Sequence, residues 1–480
     1  MRLFAKCLEL VSQLILKRDR AKSLWARPEV KRARRRTEVR REPFLPTTQS
    51  HGLCSRKQPK AVLKPVLVFF LIATTLSHAT DVNWPRWRGP DTNGSMTKGQ
   101  YPVKWDPERV LWKTEVPGKG CSTPIVWNKT IYLTTGVGGL DTVIALDWSG
   151  KQIWQKQLGP EVAGRHQNGS GSNPSATTDG SAVFVFFKSG NFAALELDGS
   201  VRWQTNLFER YGQDKRFWDF GTSPVLTKKD VVIAHMHDGE SWLAAFDKAT
   251  GQVSWKVARN YETPVEGSQG YSTPIVFSHQ GTEALLVWGG HHLTAHDAMN
   301  GKIIWSCGDF NPDGTRLWPT VASPVIAGNV AVVPCGRDDK GQPRLHGIKM
   351  GGSGDVTKTH RLWKRKDTGP FIPSPAEYQG RVYVTCDRGR IDCIDPGTGE
   401  SLWSGAFPKG KGKFYTSPLI AGGHLYAARE SGTIFVIDLN DKFKIISEID
   451  MKDRIIASPI AISDRLLIRT SHHLFCIGNT

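Results

Sequence analysis

The chain has 480 residues, 39% of them hydrophobic and 22% charged, with a formal net charge of +18 from 63 Lys and Arg against 45 Asp and Glu. The charge is concentrated at one end: residues 1–60 hold 17 basic and 5 acidic side chains, so +12 lies there and only +6 in the other 420 residues. A body this mildly basic, with no nucleic-acid motif in it, excludes nucleic acid as the expected partner.

The basic leader, residues 1–63, reads as a disordered extension or as the product of a misplaced start, with translation beginning near Val62 or Leu63. Residues 64–79 read KPVLVFFLIATTLSHA, a lysine and an apolar run followed by Ser77, His78 and Ala79. That order of charge, short apolar core and small residues predicts a secretory signal peptide cut before Thr80, and the run is too short to span a bilayer. The protein is therefore expected to be exported, periplasmic or secreted, with no transmembrane helix after cleavage. No cysteine follows the run to carry a lipid. A lead-in segment, 80–104, precedes the body of the chain, 105–480.

The body is a repeat. A proline recurs after a small or polar residue at Pro124, Pro174, Pro224, Pro274, Pro324, Pro375, Pro418 and Pro459. A period of that size marks a repeat array whose units are each too short to bury a core alone. One unit runs STPIV (122–126), TIYL (130–133), TVIALD (142–147), a turn ending at Gly150, and KQIWQKQL (151–158). These are four short apolar or alternating stretches separated by turn residues, which predicts four antiparallel strands. The turn before the fourth strand carries the sharpest signal: Asp247 to Gly251 before Trp255, Asp297 to Gly301 before Trp305, and Asp395 to Gly399 before Trp403. Aspartate bonds backbone amides two residues on, and glycine supplies the positive φ such a turn needs. The tryptophan recurs at 154, 203, 255, 305 and 403, with Trp363 out of step, and is expected to fill the gap between neighbouring units.

The last unit ends after three strands, at HHLFCI (472–477), while VLWKTEV (110–116), with Trp112, reads as an orphan fourth strand ahead of the first unit. Pairing the two closes the array and removes its exposed edges. The predicted fold is all-β: an eight-bladed β-propeller of four-stranded antiparallel blades, its ring closed by an N-terminal strand completing the last blade, and monomeric.

Six cysteines follow the predicted cut: Cys121, Cys307, Cys335, Cys386, Cys393 and Cys476. No CxxC pair or metal-ligand spacing links them, so no metal site is expected from them. Cys386 and Cys393 lie on facing strands and, across a two-residue turn at Arg388-Gly389, would share a face, which leaves a disulfide open.

The recurrent D-x-x-T/N-G-x-x-x-W resembles the tryptophan-docking repeat of the pyrroloquinoline-quinone (PQQ) β-propeller superfamily over about residues 105–480, and NWPRWRGPDTNG (83–94) is similar to the lead-in of secreted planctomycete-type members. The resemblance implies one of two functions. Quinoprotein dehydrogenases hold PQQ and calcium on the propeller axis, whereas the outer-membrane β-barrel assembly lipoprotein uses the same blades as a scaffold. The adjacent cysteine pair typical of the alcohol dehydrogenases is absent, and their calcium ligands and catalytic aspartate do not map onto this chain.

In a propeller, the loops leading into the innermost strands and those joining the second and third strands gather on one face. Here they carry Arg165, His166, Asn168, Trp218, Asp219, Tyr271, Trp318, Arg337, Asp338, Arg388, Lys413, Tyr415, Arg429 and Glu430, a mixed cationic and aromatic surface suited to envelope proteins or to an anionic or carbohydrate ligand. Trp218 and Trp318 stand outside the per-blade docking position and are expected to contact the ligand. The paired histidines His291-His292 and His472-His473 read as solvated edge residues rather than ligands. The expected function is an exported, non-catalytic binding or assembly scaffold with no cofactor; the alternative is a PQQ- and calcium-dependent dehydrogenase with an atypical site.

Overall fold

The computed structural model describes residues 83–439 and 442–479; the basic leader, the signal segment and the inferred start lie outside the described residues. Eight sheets follow one another along the chain, with strands over 125–160, 177–206, 225–258, 275–307, 325–365, 376–406, 419–450 and 460–478. We number these blades 1 to 8. Each is built of antiparallel neighbours, and the strand Trp112–Glu115 completes blade 8 by pairing antiparallel with His473–Gly478, Trp112 opposite Cys476. The ring is thus closed by main-chain bonds between distant parts of the chain, as the orphan strand predicts. Among the described residues no helix is long and apolar enough to cross a membrane.

The core lies between blades. In blade 2, Phe184 and Phe186 pack with Phe246 of blade 3, while Val183 and Val185 pack with Tyr132 and Val143 of blade 1. Successive strand residues point to opposite faces, and both faces are covered. The middle strands therefore read as unbroken apolar runs such as VFVF rather than as an alternation. The same geometry corrects the disulfide expectation. The turn joining the strands Arg381–Thr385 and Arg390–Ile394 is longer than two residues, with Cys386 N–H bonded to Arg390 O and Cys393 opposite Tyr383. Cys386 therefore packs towards blade 5 and Cys393 towards blade 7, on opposite faces, and both thiols are free.

A series of seven hydroxyl bonds links the eight blades in turn around the axis. Thr123 N–H donates to Ser175 Oγ, Ser175 to Ser223, Ser223 to Thr273, Thr273 to Ser323, Ser323 to Ser374, Ser374 to Ser417 and Ser417 to Ser458, each at 2.9–3.0 Å. In seven blades this residue stands immediately before the recurrent proline. In blade 2 it is Ser175, after Pro174, so Ala176 occupies the proline position and the frame read at Pro174 is one residue early.

The docking tryptophans do bridge blades. Trp112 Nε1 donates to Trp148 O, Trp154 to Leu197 O, Trp203 to Lys248 O, Trp255 to Ala298 O and Trp363 to Pro396 O, at 2.8–3.0 Å. The acceptor lies in each case in the third turn of the next blade, whose glycine lets the ring approach: a Cβ on Gly251, at φ +70°, would stand 2.7 Å from Trp203. Trp363 is therefore in step, opposite Gly347 as Trp255 is opposite Ala245. It looks displaced because an insertion precedes it, in which Gly354–Asp355 pairs parallel with the outer strand of blade 4. Trp305 meets that insertion instead of a docking turn, packing with Val356, and its buried indole N–H has no partner.

The lead-in segment crosses the face opposite the leading loops. Trp84 bridges Val126 of blade 1, Pro85 O accepts from Thr178 of blade 2, and Ser95–Met96 pairs parallel with Ile420 and Ala421 of blade 7. Between these contacts the buried Arg88 donates to Pro375 O and Pro418 O, at 2.7 and 2.8 Å.

Candidate functional site

On the axial face the leading loops of blades 2 to 7 enclose a cavity of about 280 Å³. Its apolar walls are Trp218, Tyr271, Pro319, Val321, Phe371, Ile372 and Tyr415, and its polar groups are His166, Asn168, Asn173, Asp219, Arg337, Asp339 and Lys413. Eight of the fourteen residues singled out in the sequence come together here: His166, Asn168, Trp218, Asp219, Tyr271, Arg337, Lys413 and Tyr415. Beneath it, a second space of about 210 Å³ is lined by the linking residues Thr123, Ser175, Ser223, Ser374, Ser417 and Ser458, together with Trp87 of the lead-in.

The charged groups of the cavity are already engaged. Asp219 holds Lys188 Nζ at 2.6 Å, both side chains being buried, and accepts the main-chain N–H groups of Arg165 and His166 at 2.7 and 3.0 Å. Arg337 makes a two-pronged bond to Asp339, 3.0 and 2.9 Å, with its guanidinium 4.4 Å above the Phe371 ring; Lys413 Nζ stands 3.8 Å from the same carboxylate. Burial pushes the Asp339 carboxyl up, but Arg337 and Lys413 outweigh it and hold the group below its ordinary value. Beside the cavity, the fully buried Asp387 accepts Phe371 N–H at 2.7 Å, and burial raises its pKa to about 7.

The remaining six residues serve the frame. Arg165, exposed, donates to Phe217 O at 3.0 Å and joins the leading loops of blades 2 and 3. Trp318 is a correction: it is only 5% exposed, its indole N–H bonded to Gln342 Oε1 at 3.2 Å and its ring beneath Arg344. Arg388 joins blades 6 and 5 through Asp338 and the Asp339 carbonyl. Arg429 is buried between Phe414 and Phe435. Glu430 accepts from Asn168 Nδ2 at 2.5 Å and from Lys413 N–H at 2.8 Å. The paired histidines also differ from expectation in blade 4, where His291 is buried against Trp318 O and His292 stacks on Tyr261 at 3.8 Å. In blade 8 His472 remains exposed beside Asp453.

Residues not singled out complete the site. Lys188 lies in the second-to-third loop of blade 2, the position class that also supplies Arg337, so its signal was present in the topology. Around the mouth, Phe217 (55% exposed), Trp218 (41%), Val265 (50%) and Leu317 (48%) form an apolar ridge. The Phe217 and Trp218 rings meet edge to face at 4.8 Å, and Leu317 N–H bonds Val265 O at 2.9 Å. Arg337 fixes the ridge through Leu317 O, 3.0 Å, as Arg165 does through Phe217 O. The cavity carboxylates do not fit a calcium ion. Calcium takes six to eight oxygen ligands, yet both cavity carboxylates, Asp219 and Asp339, are closed by cations.

A family model described as outer membrane protein assembly factor BamB matches residues 95–235, 214–374 and 352–442. The chain is 24% identical to outer membrane protein assembly factor BamB of Yersinia pestis over 355 residues, 72% of this chain and 80% of that one. It is 23% identical to the protein of the same name from Burkholderia pseudomallei, over 75% of this chain and 85% of that one. Among solved structures it is similar in fold to BamB from Moraxella catarrhalis (TM-score 0.55, 15% identity, 77% of this chain and 97% of that one). It is likewise similar to a europium-containing methanol dehydrogenase (TM-score 0.62, 12% identity, 82% and 90%). The chain belongs to the PQQ-like β-propeller family described as outer membrane protein assembly factor BamB.

Proposed function

We propose that this propeller is an exported, non-catalytic scaffold of the cell envelope, whose axial face grips a segment of another envelope protein. The carrying observation is the ridge of Phe217, Trp218, Val265 and Leu317 beside a cavity whose charges are already paired. Exposed apolar side chains gathered beside polar groups mark a protein contact, whereas an acid or base for catalysis must be within reach of a substrate proton. The similarity to assembly factors named for the outer membrane supports the envelope setting.

The test is site-specific photo-crosslinking from position 317 in envelope fractions, with and without Phe217→Ser, alongside titration of the purified chain with PQQ and calcium. A single cross-linked protein, lost in the variant while its circular dichroism is unchanged, is the expected result. Saturable PQQ binding with quinone redox activity would replace the scaffold with a dehydrogenase. An adduct that survives Phe217→Ser would remove the ridge from the interface.

A further inference from the structure

We propose that Asp214, His235 and His237 form a binding site for a divalent transition-metal ion, zinc in the first instance, at the outer end of blade 3. Asp214 Oδ1 lies 3.4 Å from His235 Nε2 and 3.8 Å from His237 Nδ1, and all three atoms lie within 4.8 Å of one another. With metal–ligand bonds of about 2.0 Å, neighbouring ligands of a tetrahedral zinc stand roughly 3.3 Å apart. Small side-chain rotations close the difference.

Two independent observations point to a ligand. His235 is fully buried, yet Nδ1 has no hydrogen-bond partner and Nε2 makes no well-formed hydrogen bond, its nearest acceptor being Asp214 Oδ1 at 3.4 Å. Its neighbours are the rings of Phe208, Trp242, Phe220 and His237. A buried polar group left without a partner is costly and calls for a cause. His237, in turn, is set as a metal ligand is set: its Nε2 faces Glu240 O at 3.2 Å, a donor position that puts the lone pair on Nδ1, towards Asp214. A carbonyl on the far nitrogen is the usual partner of a ligating imidazole. The Nδ1 lone pair now accepts Lys215 N–H at 2.9 Å, so metal binding requires this main-chain donor to swing away from the ring.

The charges choose the ion. Arg216 holds Asp214 Oδ2 with Nη2 and Nε at 3.0 and 3.1 Å and donates its main-chain N–H to Oδ1 at 3.1 Å, so Oδ1 keeps one lone pair for the metal while the carboxylate's charge is shared. Calcium and magnesium, which need several oxygens, are disfavoured, whereas two imidazoles suit zinc, copper or nickel. Three protein ligands leave a fourth position for water. An ion here would staple the segment beginning at Asp214, which carries Phe217 and Trp218, to the second strand of blade 3 and its following loop. This consequence for the ridge rests on the proposed function; the site itself does not.

The experiment is isothermal titration of the chelator-stripped, untagged chain with zinc, paired with the visible absorption of bound cobalt as a report on imidazole coordination. One equivalent is expected, with cobalt displaced by zinc, and at least about tenfold weaker binding in both His237→Gln and Asp214→Asn. His237→Gln is the milder change, because His237 keeps 4% exposure where His235 has none, and Asp214→Asn keeps the test open should the first variant misfold. Absence of saturable zinc binding to the stripped chain overturns the proposal. So does binding unchanged in both variants, which would place the metal elsewhere.

Discussion

The hydroxyl series at the axis can be broken one link at a time, and Ser223→Ala is the most informative link. Ser223 Oγ accepts Ser175 N–H at 3.0 Å, and both residues are at least 96% buried. Alanine keeps the Ser223 N–H bond to Thr273 Oγ1 but orphans the Ser175 N–H. An orphaned buried donor costs about 1–3 kcal/mol. The axial space lined by both serines offers water a route to it, which places the expected loss near the lower end, about 1–2 kcal/mol. Threonine already fills this role at position 273, so Ser223→Thr should cost less than about 0.5 kcal/mol, the ordinary scatter of a tolerated substitution. Reversible urea denaturation followed by tryptophan fluorescence reads both. Ser374→Ala, three blades away, should add independently to Ser223→Ala. An alanine variant indistinguishable from the parent, or a threonine variant as damaging as alanine, would refute the view that the hydroxyl is what the repeat maintains.

Gly251→Ala and Gly138→Ala both place a side chain at positive φ, +70° and +61°, but only the first meets a neighbour, Trp203. Each should lose about 1–2 kcal/mol from backbone strain, with a further loss confined to Gly251→Ala; equal losses would deny the docking contact. Trp112→Ala removes the closing strand's bond to Trp148 O and should cost about 2–4 kcal/mol, with limited proteolysis then cutting first near residues 105–116; unchanged protection there would count against closure by this strand. Asp387 has a folded pKa of about 7, raised by burial, against an ordinary value of 3.8. The folded chain therefore binds the extra proton between these values, and the stability contributed by the neutral form is lost as pH rises through that window. Asp387→Asn should gain on the parent from pH 4 to pH 7 by up to about 1.4 kcal/mol per unit; a pH-independent difference would sink the assignment.

How far the fold could be read from the chain follows from which contacts are local. The Asp-to-Gly turn is closed within a few residues, as Asp247 Oδ1 accepting from Ala249 and Thr250 shows, so every copy is legible by itself. The tryptophan's partner lies some forty residues on, in the next blade, and counting along the chain misplaces Trp363 once an insertion intervenes. Proline misleads in blade 2 for a different reason. It is the rarer residue and draws the eye, yet it donates nothing, and the bonded group is the hydroxyl beside it. For Cys386 and Cys393 a single residue of turn length decided which face each thiol occupies, a quantity that no composition or periodicity encodes.

The site shows the same division more sharply. Topology alone gathers the leading loops, which is why eight of the chosen residues meet at one cavity, but it does not say which polar groups face inward and which pin a neighbouring loop. Trp218 and Trp318 illustrate the limit, since RFWDF and RLWPT place them in matching frames. Asp219 is drawn inward by Lys188, and Trp218 beside it stays 41% exposed at the cavity mouth; Trp318 is covered by Gln342 and Arg344 from the insertion-bearing blade. What separates the two rings is the charge and length of loops more than twenty residues away. On the proposed reading, a face built this way, with Arg165, Arg337 and Arg388 spent on neighbouring loops or carboxylates and the apolar side chains left outside, is preorganised to be covered. Arg165 and Arg337 bond the main chain beneath Phe217 and Leu317, so the ridge is held in place before any partner arrives. That prior ordering removes part of the entropy loss that binding would otherwise carry.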